Sequence, residues 1–159
     1  NMLYLIDGYN FFHATNLRLD NSQPIYCFAN VLIEIAEKNS KKKFHLVFDG
    51  FSPAYYDYKT VPTHLNLKIK FSHEESADSI LEKLLNNISN KNECTLVTGD
   101  RQIILIAKEN NIKIVSNGDF ERFLLSNAEY LKNLGKLCYN IFGIKNRAKL
   151  RSLISANPN

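Results

Sequence analysis

Residues 3–10 read "LYLIDGYN". Four apolar side chains run without a break into an aspartate, a glycine, a tyrosine and an asparagine. A short continuous apolar run stopped by turn formers is the pattern of a strand buried on both faces, as in a parallel sheet. Ending that strand in a carboxylate places a charge where the chain leaves the core. The pattern recurs twice: "FHLVF" (44–48) runs into Asp49 and Gly50, and "TLVT" (95–98) into Gly99 and Asp100. In each case the strand would hold the carboxylate rigidly, and the glycine would let the chain turn away without covering it. "LKIKF" (67–71) and "IKIV" (112–115) read as two more strands. Their alternation of apolar residues with lysine predicts one wetter face or a place near a sheet edge.

Helical patterns fill the intervals. "PIYCFANVLIEIAEKN" (24–39) is apolar around much of its circumference and starts at Pro24, as a well-buried helix does. "SHEESADSILEKLLNNI" (72–88) opens with Ser72 and Glu75 in capping-box spacing, and Ala77, Ile80, Leu81, Leu84, Leu85 and Ile88 then form one stripe. "RQIILIAKEN" (101–110) and "GDFERFLLSNAEYLKNL" (118–134) predict two further helices. Strands alternating with helices imply parallel pairing through right-handed crossovers, hence an α/β three-layer sandwich around a parallel sheet. Residues 50–64 carry turn residues and three tyrosines with no clear period, and are expected to form a long surface loop.

A chain of 159 residues suits one domain, expected over 2–135, followed by a basic extension over 136–159 in which Lys145, Arg147, Lys149 and Arg151 stand without an acidic neighbour. That tail is either a solvated helix or a nucleic-acid-facing patch. The net charge of +4 permits a phosphate-bearing partner without demanding one. No apolar run approaches the ~20 residues of a membrane span, and no charged-then-apolar leader opens the chain. Cys27, Cys94 and Cys138 match no zinc spacing and are odd in number, so a reducing cytoplasm is the expected location. Neither a glycine-rich dinucleotide fingerprint nor a P-loop is present, and His13, His45, His64 and His73 show no pairing as metal ligands.

In an open parallel sheet, chemistry gathers beyond the carboxyl ends of the strands. Asp7, Asp49 and Asp100 are delivered to that edge, and Asp78 lies at the border of the apolar stripe, one turn into its helix. Carboxylates brought together repel one another unless a cation neutralises them, and clusters of hard oxygen donors suit Mg²⁺ or Mn²⁺. Taken singly, each acid reads equally as a turn former, a helix cap or a surface residue. Tyr55, Tyr56 and Tyr58 are candidates for stacking on unpaired bases, or for packing on their own scaffold.

The ordered set "LIDGYNFF", "VFDG", "EESADSILEKL" and "LVTGDRQIILIAKENNIKIVSNGDF" resembles the NYN domains of the PIN-like nuclease superfamily, in particular its YacP-like branch, over residues 3–125. The resemblance implies a five-stranded sheet of order 3-2-1-4-5 and divalent-metal-dependent endonucleolytic cleavage of single-stranded RNA. Asp7, Asp78 and Asp100 are then the metal-binding acids, with Asp49 as a nearby acid. Asn10 matches the asparagine that orders metal waters or a phosphate, and Glu75 matches the glutamate three residues before the helix aspartate. Thr98 and Arg101, which flank Asp100, are expected to support the acids or touch substrate. Asp119 falls where some PIN-like proteins carry a further acid. The same resemblance implies mRNA as substrate and the ribosome as partner. A catalytically silent RNA-binding module, and a toxin-type nuclease held by an inhibitor protein, remain open on the sequence.

Overall fold

The computed structural model describes residues 1–15 and 23–129. All five apolar runs are strands: β1 (Met2–Asp7), β2 (Lys42–Phe48), β3 (Leu67–Phe71), β4 (Cys94–Val97) and β5 (Lys113–Val115). Every neighbouring pair is parallel and the order is β3-β2-β1-β4-β5. The first strand of the chain is thus the middle of the sheet, and β2 and β4 flank it. The two strands that alternate apolar residues with lysine, β3 and β5, are the edges, as that alternation predicts. In β3 Lys68 and Lys70 are exposed, whereas Phe71 is buried.

The helices are α1 (Gly8–Ala14), α2 (Pro24–Lys38), α3 (Ala77–Asn87), α4 (Arg101–Glu109) and α5 (Asn117–Asn127). Side-chain alternation along the strands divides the core between two faces. Ile6, Phe44, Leu46, Phe48 and Val97 pack with Phe11 and Phe12 of α1, Phe28 and Leu32 of α2, and Phe120 of α5. Leu5, Val47 and Leu96 pack on the other side with Leu81 and Leu85 of α3 and Ile103 and Ala107 of α4. The first face is aromatic, with five phenylalanines almost wholly removed from water, each contributing about 1.5–3 kcal/mol. Among the described residues, no helix is long and apolar enough to cross a membrane.

Two local features differ from expectation. The chain does not simply turn after Asp7 but enters α1 at once. Gly8 is there for close approach: a Cβ on it would lie 2.3 Å from Cε1 of the buried Phe48 ring. Gly50 is the residue that turns, with φ +81° and nothing near its missing Cβ. The capping box of Ser72 and Glu75 does not form either. Helix α3 starts four residues later, with Ser76 as its cap accepting from Ser79 N at 3.0 Å. The Ser72 hydroxyl accepts instead from Gly50 N at 2.7 Å, while the Glu75 carboxylate meets Lys83 and Ser79. Asp49 fixes the later start, because its Oδ1 takes the first-turn N–H of Ala77 at 2.9 Å. The expected boundary at residue 135 and the basic tail lie outside the described residues.

Gly8→Ala is expected to destabilise the protein by about 1–3 kcal/mol through overpacking against Phe48. In a Phe48→Leu background, the added cost of Gly8→Ala should shrink. Denaturant unfolding of the four proteins checks both; an equal cost in the two backgrounds would place the strain elsewhere.

Candidate active site

Three strand ends and one helix start meet beyond the carboxyl edge of the sheet. Asp7 ends β1 and is 7% exposed. Asp49 follows β2, Asp100 follows the short Thr98–Gly99 link after β4, and Asp78 stands in the first turn of α3. Three of the acids commit one oxygen to structure. Asp7 Oδ2 accepts from the Thr98 hydroxyl at 3.1 Å. Asp49 Oδ1 accepts from Ala77 N, and Asp100 Oδ1 caps α4 by accepting from Gln102 N at 2.8 Å and Ile103 N at 3.3 Å. The second oxygens of Asp49 and Asp100 take no hydrogen bond among the described residues.

The electrostatics tie the four together. Burial pushes the Asp7 carboxyl up to about 6, and the negative charges of Asp78 and Asp100 add to this, while the Thr98 hydroxyl and the Asn10 backbone N–H pull the other way. Asp78 is also raised, first by burial and then by Asp100 and Asp49. No three His, Cys, Asp or Glu side chains among the described residues stand as a ready-made ligand cage. The donor set nevertheless fits a hard divalent cation: all oxygens, excess negative charge, and two carboxyls, Asp7 and Asp78, pushed up by burial and by their acidic neighbours. Mg²⁺ is commonly held by one or two carboxylates and keeps several waters, so a closed protein cage is not required.

Asn10 ties the loops behind the acids together. Its Oδ1 accepts from Gly99 N at 2.9 Å and from Asn117 Nδ2 at 2.9 Å. The backbone N–H of Gly99 requires an acceptor, which fixes which way the Asn10 amide points. Its Nδ2 therefore faces away, without a partner among the described residues. Asn117, which the sequence reading missed, is 6% exposed, and its Oδ1 is buried with no partner. The available signal was its position, directly after β5 at the edge that also carries Asp100.

Of the other expected residues, Thr98 joins this group and the rest do not. Thr98 is 1% exposed and links Asp7 to Asp100, whose N–H it accepts at 3.1 Å. Arg101 is exposed at the start of α4. The Glu75 carboxylate is solvent-exposed and held below the usual range, chiefly by its hydrogen bond from Lys83. Asp119 turns to Arg122 and does not join the other acids. Tyr55 and Tyr56 pack on the scaffold: the Tyr55 hydroxyl accepts from Ile25 N at 3.3 Å, and Tyr56 sits edge-on to Phe71. Tyr58 is exposed and edge-on to Tyr56. Lys145, Arg147, Lys149 and Arg151 lie outside the described residues.

A parallel sheet of this order with acids at its carboxyl edge has the architecture of a PIN-like, nuclease-type domain. A family model, the YacP-like NYN domain, matches residues 4–137, and the chain belongs to that family. Two crystal structures of Rae1 (YacP) from Bacillus subtilis share its fold. A mutant form matches with TM-score 0.60 and 18% identity, over 96% of this chain and 99% of that one. A second matches with TM-score 0.57 and 20% identity, over 99% and 88%. No curated protein matches the chain in sequence.

The Asp7 environment has a pH consequence. Its folded-state carboxyl titrates near 6 against an ordinary value of 3.8, so ionisation destabilises the fold. The penalty is absent below about pH 4, grows between about 4 and 6, and is full at neutral pH, on the order of 1–3 kcal/mol. Asp7→Asn, which can still accept from Thr98, should therefore stabilise the cation-free protein at pH 7.5 and leave it unchanged near pH 4. Urea unfolding at the two pH values with chelator present reads this out; a loss of stability at neutral pH would refute it.

Proposed function

We propose that the chain is a divalent-metal-dependent endoribonuclease that cleaves single-stranded RNA, with mRNA as substrate and the ribosome as partner. The observation that carries the reading is the mutual influence of Asp7, Asp78 and Asp100 at one sheet edge, each raised group facing charges of its own sign. In this reading the three acids hold Mg²⁺ or Mn²⁺, and Asp49 lies beside them. The chemistry such an ion supplies is activation of water and neutralisation of charge on the phosphodiester.

The chain's own residues would do the rest. Thr98 keeps Asp7 turned toward Asp100, since its hydroxyl bridges the two loops. Asn10 holds the Gly99 turn with its oxygen and offers Nδ2 to a phosphate oxygen or a water. Arg101, exposed directly after Asp100, is placed to meet a neighbouring phosphate. The membership in the YacP-like NYN family supports RNA as the substrate class and cytoplasmic action.

Asp100→Asn separates catalysis from capping. Asn caps helices about as well as Asp, so the α4 cap survives and one charge leaves a crowded site. RNA cleavage with Mn²⁺ should fall by orders of magnitude. Thermal stability with chelator present should be unchanged or slightly higher. Retained cleavage would remove the metal role of Asp100 and the centre of the proposal.

A further inference from the structure

We propose that Phe51 and His73 form a stacking subsite for one unpaired base of the RNA strand that crosses the acidic edge; this rests on the ribonuclease reading above. Phe51 lies two residues beyond Asp49 and is 65% exposed. Its ring faces that of His73, with centroids 5.3 Å apart and planes at 31°. His73 follows β3 by two residues and holds φ at 58°, the left-handed region that favours glycine.

The surrounding hydrogen bonds hold that strained backbone in place. His73 N donates to Gly50 O at 2.8 Å, Gly50 N donates to the Ser72 hydroxyl at 2.7 Å, and Ser72 N donates to Phe48 O at 2.9 Å. Two loops leaving neighbouring parallel strands are stapled together, and each carries a ring at its tip. Folding asks for neither ring. Phe51 stands mostly in water, and glycine would serve the backbone at 73 better. Asn111, with φ 56°, shows the contrast: it directly follows α4, where a left-handed asparagine is an ordinary helix stop. Backbone strain away from such a stop, held by a rigid scaffold, gathers at functional positions.

The occupant follows from the chemistry. A cavity of about 490 Å³ is lined by Phe51, Ser72, His73, Glu74 and Glu75. The rings offer π faces, on which any base stacks. Glu75 is paired with Lys83, and the Glu74 carboxylate beside the rings disfavours a phosphate and can accept N–H groups from a base edge. Two residues of chain from Asp49 to Phe51 span at most about 7 Å, so the subsite lies beside the acids. Asp49 in turn is bonded to the start of α3, which carries Asp78.

The test uses a short unstructured RNA and a series of copies with one abasic position each, with binding followed by fluorescence anisotropy in chelator. Phe51→Ala and His73→Gly should each weaken binding of the intact RNA roughly tenfold. His73→Gly should match or exceed the wild type in thermal stability, since glycine relieves the left-handed backbone. One abasic copy should weaken wild-type binding by a similar factor and cost the variants nothing further. Variants that bind intact RNA like the wild type would overturn the subsite, as would equal losses on intact and abasic RNA. If the wild type cleaves RNA with Mn²⁺ while the variants bind normally, only the subsite fails. If the wild type neither binds nor cleaves RNA, the ribonuclease reading fails and takes the subsite with it.

Discussion

The carboxyl group of Asp7 sits at the end of the central strand, nearly sealed from water and in the field of two other carboxylates. Nothing in folding rewards that placement. Its tolerance depends on a core that makes up the loss elsewhere, and the aromatic layer formed by β1, β2, α1, α2 and α5 is the larger part of that core. The position of β1 sets the rest of the geometry. Because it pairs with both β2 and β4, the acids that follow those strands arrive on either side of Asp7. The edge strands, β3 and β5, bring none of the four acids.

Repelling groups stay together only if the loops that bear them are tied down. Here each loop is tied to another rather than to itself. Asn10, after β1, holds Gly99, after β4, and is itself held by Asn117, after β5. Asp49, after β2, holds the start of α3, and Ser72, after β3, holds Gly50. The five strand exits are thus tied in two groups, those of β1, β4 and β5 through Asn10 and those of β2 and β3 through Asp49, Gly50 and Ser72. Such a network positions the carboxylates of Asp49 and Asp100 through one oxygen each. It also explains why Gly99 is small: a Cβ there would lie 3.3 Å from Asn117 Nδ2 and 3.7 Å from Asn10 Oδ1.

The strands were legible because burial on both faces leaves unbroken apolar runs, and the edges because lysine alternation marks a face in water. The acids were legible for the same reason: each follows such a run. What stayed hidden depends on contacts between distant segments. The spacing of Ser72 and Glu75 is a sound capping signal, yet Ser76 wins because Asp49, 28 residues from Ala77 in sequence, supplies the deciding hydrogen bond. Tyr55, Tyr56 and Tyr58 are the conspicuous aromatics of their loop, and two of them are consumed by packing against α2 and β3. Neither Phe51 nor His73 belongs to a sequence motif, and only the pairing of their loops sets the rings together. Asn117 reads as a helix-start residue until Asn10 and Gly99 are seen beside it.

Single anomalies would not distinguish this edge from the rest of the molecule. His45 and Asn66 also bury unpartnered polar atoms, and neither adjoins the acids. His45 lies on β2 beside Lys68 and Lys70, and burial together with those charges holds its imidazole down to about 4, so it is neutral near pH 7. Asn111 has a left-handed backbone, and a helix end accounts for it. At the carboxyl edge, by contrast, a buried and raised carboxylate, a strained histidine, an exposed aromatic ring and an orphaned amide oxygen coincide within a few residues of four strand ends. Local rules of folding are broken there together and, elsewhere, one at a time. That concentration, rather than any one departure, marks the edge as the part of the fold shaped by something other than stability.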